Sequence, residues 1–332
     1  MNNKNYLDKS YNGLLILKAK NGNFNAGFDG NPRTLPDGTI FATDKALKYC
    51  IREYLYLFEN QNIFVRRNRY FKNDKKRTKV FSYQTLEENF KTKLETLKKQ
   101  GFFQDIKFED LIKKDKSKTE THNEDKILEI LKNFIDIRLF GVVFSVGSNI
   151  SLTGPVQISY GINKLENSSI YPVQILSPYK NSNEKSESSN QTTIGEETKV
   201  DEVYYVFNIS VNSANAKNTG LTYEDLEKLK EALLKSVDPI TSCTKFGCES
   251  IALIWLNNER NLVLNNLDDF IKLTKRRDEI PKLDLEKLKD YLKQFGFKDV
   301  VYTEFNYNLD LKEKEENLNK IEVIYKKGKI KF

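Results

Sequence analysis

Between residues 203 and 211 the chain alternates. Val203, Tyr205, Phe207, Ile209 and Val211 are apolar or aromatic, and Tyr204, Asn208 and Ser210 fall between them. A period of two fits an extended strand with one face buried, and no helix keeps such a set on one side. A half-buried strand needs a sheet. Two apolar runs supply neighbours: Leu14-Leu-Ile-Leu17, just after Gly13, and Ile251 to Leu256, which holds the single Trp255. A further strand-like run lies at Leu139 to Val146.

Helical spacing stands between these runs. Leu47, Ile51, Tyr54, Leu55 and Phe58 share one face behind Thr43, a good N-cap. Thr222-Tyr-Glu-Asp225 has the form of a capping box and precedes Leu226, Leu229 and Leu233. The order is then strand 13–19, helix 43–59, strand 139–146, strand 203–211, helix 222–236 and strand 250–257. That is βαβ-βαβ, an α+β ferredoxin-like core with the topology of an RNA-recognition motif. Residues 1–332 read as one elaborated domain. It carries a helical, basic insertion at 60–135, an excursion at 147–202 and a C-terminal α/β extension at 258–332. The insertion holds helices at 84–100, stopped by Gly101, and at 125–134, after a polar linker at 115–123. The extension holds a helix at 284–294 and strands near 299–306 and 320–326. Residues 177–199 are rich in Ser, Asn, Glu and Thr and read as an exposed loop or a partly disordered excursion.

Charge is distributed unevenly. The chain carries a net +7, yet Lys45 to Lys79 holds eleven Lys and Arg against Glu53, Glu59 and Asp74, a local +8. A basic patch on a near-neutral body is the footprint of a polyanion binder. Lys45, Lys48 and Arg52 form a stripe beside the apolar face of the first helix. Arg66, Arg67 and Arg69 alternate with aromatics in Asn62 to Lys72, and Lys75, Lys76 and Arg77 add further charge. Cations hold phosphates while bases stack on rings, so both segments are candidate RNA contacts.

Between strand 13–19 and the first helix lies a long loop with Gly22, Gly27, Gly30, Pro32, Pro36 and Gly38. Loops of that length tend to be functional, and glycines permit close backbone approach to a ligand. The G-x-G-x-x-G fingerprint is absent, so no nucleotide cofactor is expected.

Cys243 and Cys248 stand in a C-x4-C pair without a second Cys or His pair, which points to plain thiols and not to a zinc site. The only histidine, His122, lies in the polar linker without an obvious catalytic partner. No catalytic set and no metal site emerges. Met-Asn-Asn-Lys-Asn at the start lacks the apolar run of a signal peptide, and no segment nears the roughly 20 apolar residues of a membrane helix. A cytoplasmic protein is the expectation.

Three stretches carry a resemblance. They are Asp136 to Gln157; Lys20-Asn-Gly-Asn-Phe-Asn25 followed by Asp29-Gly-Asn-Pro-Arg33; and Val211-Asn-Ser-Ala-Asn-Ala-Lys217 with Thr219-Gly-Leu-Thr222. Together, and falling in order along the chain from residue 11 to about 255, they resemble the repeated backbone subunit of CRISPR type I effector complexes (Cascade). That is the Cas-seven family of the RAMP superfamily, and the subtype I-B form is the nearest. The resemblance implies a palm, a fingers-like insertion and a thumb. The thumb falls at 147–202 here, its polar tip near 180–199, folding over the guide and touching the next subunit. Several copies would line one CRISPR RNA and leave its bases free to pair with a target DNA strand. The partners implied are that RNA, the target strand through the RNA–DNA heteroduplex, copies of the chain itself and other Cascade subunits.

The resemblance carries RNA contacts onto Gly22, Asn23 and Asn25; onto Lys45, Lys48 and Arg52; onto Ser148, Asn149, Ser151 and Gln157; and onto Asn212, Asn215 and Lys217, in a loop of small and amide residues. Family members often place Pro where this chain has Phe24. A scaffold of this kind is not an enzyme, since cleavage belongs to a separate helicase-nuclease. Two alternatives stand beside it: a metal-dependent ribonuclease of the type III backbone kind, with Asp29 or Asp37 as its acid, and a general single-stranded RNA-binding module.

Overall fold

The computed structural model describes residues 5–73, 79–112, 120–147, 149–177, 193–240, 242–258, 262, 264, 266–276, 279–297, 299–304 and 320–325. Its strands are β1 (Ser10–Gly22), β2 (Phe41–Ala42), β3 (Arg69–Asn73), β4 (Lys79–Tyr83), β5 (Gly141–Phe144), β6 (Ile150–Thr153), β7 (Val156–Ile158), β8 (Gly161–Asn163), β9 (Ile170–Ser177), β10 (Thr193–Val211), β11 (Cys248–Asn258), β12 (Lys272–Thr274), β13 (Lys282–Asp284), β14 (Asp299–Glu304) and β15 (Lys320–Tyr325). The helices are α1 (Asp44–Leu57), α2 (Leu86–Lys99), α3 (Phe108–Ile112), α4 (Glu120–Leu131), α5 (Ile135–Phe140), α6 (Ser213–Thr219), α7 (Tyr223–Lys235) and α8 (Glu286–Lys293). The chain is therefore mixed α+β with a large, mainly antiparallel sheet. It divides into two compact units. One comprises residues 1–11, 51–157 and 210–232, and the other residues 12–50, 158–209 and 233–332.

The second unit is built on the sheet, whose order runs β14-β15-β11-β1-β10-β8-β2. β1, β10 and β11 lie side by side at its centre. The alternation at 203–211 predicts one buried face, but both are covered: Tyr204 and Val206 are as buried as Tyr205 and Phe207. The cause lies in the C-terminal third. Leu283, Leu288, Leu292 and Phe297 pack with Leu14, Ile16, Tyr204, Val206, Ile254 and Leu256 into one cluster. A strand between two packed layers can afford aromatics on both sides, as parallel and sandwiched strands do.

The polar segment 177–199 is only in part the expected loop. Thr193 to Val200 pairs antiparallel with β9 in the register Thr193↔Ser177 through Val200↔Ile170. Ile170, Tyr171, Val173 and Ile175 face a run holding Ile194, Thr198 and Val200, and these β-formers outweigh the polar composition. Most of the proposed polar tip, residues 180–192, lies outside the described residues.

The first unit is mostly helical. Phe64, Phe90, Phe108, Phe134 and Phe144 form its core with Leu94, Leu97, Leu111, Ile127 and Ile130. The rings of Phe90 and Phe144 meet edge-on at 4.9 Å between centroids. Helix α2 starts on a complete capping box, with Thr85 Oγ1 accepting from Glu88 N and Glu88 Oε2 from Thr85 N. The linker ends sooner than its composition implies, since α4 already begins at Glu120.

The expected strand 139–146 is corrected here. Residues 135–140 form helix α5, and only Gly141 to Phe144 is extended, paired with β6 and not with the large sheet. Phe-Ile-Asp-Ile-Arg-Leu-Phe fits period two and a helical turn almost equally. In the helical form both charged side chains find distant partners, Asp136 with Arg52 and the amides of Phe64 and Val65, and Arg138 with Asp225. Gly141 then takes φ +74°, and a Cβ there would lie 2.1 Å from Leu152 O. Asn212 to Gly220 is likewise a helix and not a loop. Asn212 Oδ1 caps Ala214 N and Asn215 N, and Gly220 closes α6 in the left-handed region.

Candidate nucleic-acid interface

In the second unit, β1 runs out at Gly22 against the turn 242–247. A Cβ on Gly22 would stand 2.8 Å from Thr244 O and 3.1 Å from Phe246 O. Lys20 N donates to Gly247 O at 3.0 Å, and Asn23 N to Thr244 O. The close approach that glycine permits is thus taken by the chain's own backbone. Asn23 is buried, and its amide donates to Gly30 O at 3.1 Å. Phe24, the departure from the family's Pro, is buried beside Tyr205 with ring centroids 6.2 Å apart. Asn25 Oδ1 accepts from both Thr43 N and Thr43 Oγ1 at 2.8 Å, which ties the loop to the start of α1.

The loop's two carboxylates serve turns. Asp29 accepts from Asn31 Nδ2 at 2.9 Å and Asn31 N at 3.1 Å, and these hydrogen bonds lower its carboxyl pKa. Asp37 Oδ1 accepts from Thr39 N at 2.9 Å, which lowers its pKa in the same way. Both are Asx turns, the ordinary work of Asp in such loops.

The first turn of α1 holds a compact charge cluster. Asp44 pairs with Lys45 at 2.8 Å and Lys48 at 3.2 Å. Burial pushes the Asp44 carboxyl up, and the hydrogen bonds and charges of the two lysines more than offset this, leaving it below the usual value. Lys45 keeps 79% of its side chain in solvent, and Lys48 only 15%. Sequence reading missed the turn beside them. Lys245 Nζ stands 5.2 Å from the Phe24 ring and 5.4 Å from the Tyr49 ring. Asn21, Lys199, Ser242, Cys243 and the exposed Phe246 line a shallow cleft there. A Lys and an exposed Phe around a glycine turn were the available signal.

In the first unit, Arg52 is a packing residue. Its Nε lies 3.2 Å from Asp136 Oδ2, and its guanidinium sits over the Phe140 ring at 5.1 Å. Arg66 is held by both oxygens of Glu53, at 2.9 and 3.2 Å, and lies 4.0 Å over the Tyr56 ring. Arg67 and Arg69 are exposed. Arg67 stacks on Tyr83 at 4.5 Å, while Arg69 sits 5.2 Å from Tyr83 and 5.6 Å from Phe81. Phe81 and Tyr83 are themselves exposed at 58% and 43%, so rings and cations share one open hairpin, β3–β4. Lys75, Lys76, Arg77 and Ser148 lie outside the described residues, as does the side chain of His122.

Two of the family-like stretches meet in this unit. Asn212 N donates to Pro155 O at 3.0 Å, so the capped start of α6 abuts the Gly154-Pro155 turn. Gln157 Nε2 donates to Gly154 O at 2.8 Å across the same turn. Asn149, Ser151, Gln157, Asn212 and Lys217 are exposed, and Asn215 is half-buried. The contacts carried over from the family therefore divide by solvent access. Lys45, Asn149, Ser151, Gln157, Asn212 and Lys217 are open to a ligand, while Gly22 and Asn23 pack against the chain's own backbone and Lys48 and Arg52 are paired with Asp44 and Asp136. Among the described residues no group of three or more His, Cys, Asp or Glu is placed to hold a metal ion. No helix among them is long and apolar enough to cross a membrane.

A family model described as CRISPR-associated protein Cas7 matches residues 9–295. A solved chain titled "CRISPR RNA-guided surveillance complex, pre-nicking" is similar at TM-score 0.50 and 13% identity, over 91% of this chain and 94% of that one. A chain titled "CRISPR RNA-guided surveillance complex" gives TM-score 0.44 at 12% identity, over 86% of this chain and 83% of that one. No curated protein matches by sequence. The first likeness establishes a shared fold.

Proposed function

The chain belongs to the CRISPR-associated protein Cas7 family, and we propose from that premise that it is the repeated backbone subunit of a type I effector complex, binding CRISPR RNA. Several copies line one guide and hold it for pairing with a target DNA strand, beside other Cascade subunits inside the cell. The protein holds backbone and shape while base pairing reads sequence, a division of labour seen in other CRISPR effectors. The observation that carries the reading is the family match over residues 9–295.

The finer assignments follow from it. The neighbours β11-β1-β10 are the centre of a ferredoxin-like, RNA-recognition-type core within one elaborated domain. Residues 147–202, which include the paired strands 170–177 and 193–200, are the thumb, and the insertion 60–135, which holds α2 and β3–β4, is the fingers. Subtype I-B is the nearest form. The role is that of a scaffold without nuclease chemistry, in keeping with Asp29 and Asp37 both serving Asx turns. RNA phosphates are met by Lys45, Lys217, Arg67 and Arg69, and by Lys75, Lys76 and Arg77. Ser148, Asn149, Ser151, Gln157, Asn212 and Asn215 contact sugar and backbone.

The test is native mass of the purified protein with single-stranded RNAs of increasing length. Mass rising in whole-subunit steps is expected, and the step gives the footprint. One protein per RNA at every length would reduce the chain to an ordinary RNA-binding domain.

A further inference from the structure

Helix α2 carries a lysine that nothing in the fold employs. Lys93 is half-buried, and among the described residues it makes no hydrogen bond and no ion pair. Its position is set by its neighbours. One turn earlier, Asn89 donates to Phe64 O at 3.0 Å and accepts from Asn68 Nδ2 at 3.5 Å. Phe90, Leu94 and Leu97 of the same helix are in the core. Lys93 therefore rises from the α2 face that meets segment 64–68. There it lies within electrostatic reach of Asp136 and Arg66, and burial lowers its pKa.

The charges around it do not balance. Asp136 is committed to Arg52 and to two backbone amides, and Glu53 is committed to Arg66. Among the described residues, three cations, Arg52, Arg66 and Lys93, thus stand against two carboxylates, each carboxylate already satisfied. An ammonium taken partly out of water without a partner is a cost to the folded protein. The cost disappears when an anion supplies the missing partner.

Resting on the RNA-binding reading above, we propose that Lys93, with Arg66 beside it, is an anion site that takes a phosphodiester of the bound RNA. Lys93 adds a cation from α2 to Arg66 of the adjoining segment. Basic runs do not single it out, because it lies beyond the 45–79 segment and between the core residues Phe90 and Leu94 of a helix.

The test uses Lys93→Met, which keeps the stem and removes the charge, with Lys93→Arg as the charge-retaining control. Melting is followed with and without inorganic phosphate, and binding of a single-stranded RNA is followed across a salt series. Lys93→Met is expected to melt no lower than the parent protein in phosphate-free buffer. The phosphate-induced rise in Tm should shrink in Lys93→Met and persist in Lys93→Arg. RNA affinity should fall by about tenfold, and the slope of log K against log salt should lose roughly 0.7, one single-strand contact. An equal phosphate effect in the parent and Lys93→Met overturns the anion site whatever RNA does. A lower melting point for Lys93→Met without phosphate also overturns it, since the lysine then supports the fold. A parent protein that shows the Lys93-dependent phosphate effect but binds no RNA keeps the anion site and overturns the RNA-binding reading.

Discussion

Arg52 Nε sits 3.2 Å from Asp136 Oδ2, and Asp136 is completely buried. The same carboxylate accepts the backbone N–H of Phe64 at 2.8 Å and of Val65 at 2.9 Å. One side chain thereby joins helix α1, helix α5 and the start of the basic segment. Removing one partner of a buried pair strands the other and typically costs about 3–5 kcal/mol. Asp136→Ala should therefore lower the unfolding free energy by about that amount, measured by urea denaturation, and Arg52→Glu should be at least as harmful. A midpoint unchanged in either variant would remove the pair from the core of the fold.

Loss of RNA binding in Arg52→Glu is then ambiguous, because the fold suffers too. Lys45 is the cleaner probe on the same helix, with 79% of its side chain in solvent. Lys45→Ala leaves Asp44 its pairing with Lys48 and should cost about 1 kcal/mol or less, the range of an exposed ion pair. RNA binding should weaken and its salt slope fall by roughly 0.7. Unchanged affinity across a salt series would take Lys45 out of the interface.

The Asp44 cluster makes a pH prediction. The Asp44 carboxyl has its pKa lowered below the ordinary 3.8. A depressed carboxylate contributes stability that is fully present above its unfolded pKa and lost as pH falls through its folded one. The contribution should hold at neutral pH and disappear below about pH 3.8. Asp44→Asn should flatten that acid limb of the stability curve while also weakening the protein at pH 7. Parallel curves for the parent protein and Asp44→Asn between pH 5 and 2 would contradict the pairing.

Much of this fold was legible because its signals are local. The apolar runs at 14–17 and 251–256 lie within β1 and β11, and Thr222-Tyr-Glu-Asp225 is a reciprocal cap, Thr222 Oγ1 taking Asp225 N and Asp225 Oδ2 taking Thr222 N. The failures come from partners far along the chain. Arg138 reaches Asp225 with two hydrogen bonds at 2.7 and 2.8 Å, a contact across 87 positions that no window around residue 138 contains. That pair and the contacts of Asp136 hold α5 where the sequence reads as a strand. The candidate site divides the same way. Composition finds the exposed cations Arg67 and Arg69, but it cannot show that Lys48 and Arg52 are already paired, nor that Lys93 is not.

Asn25 separates a residue's work in the fold from its work at a ligand. Its Oδ1 takes both hydrogen bonds from Thr43, and among the described residues its NH2 makes none. Asn25→Asp keeps an acceptor in place and adds negative charge at the start of α1, where the helix dipole favours it by about 0.3–1 kcal/mol. Melting temperature should hold or rise. If Asn25 meets RNA as the family resemblance implies, the same change replaces a donor with a carboxylate, and RNA affinity should fall by tenfold or more, about 1.4 kcal/mol. Asn25→Leu reverses the order, because it leaves Thr43 N without its acceptor, and it should melt lower by several degrees. Calorimetry of the two variants beside an RNA titration distinguishes the roles. Undiminished RNA binding by a fully stable Asn25→Asp would confine Asn25 to holding the loop against α1.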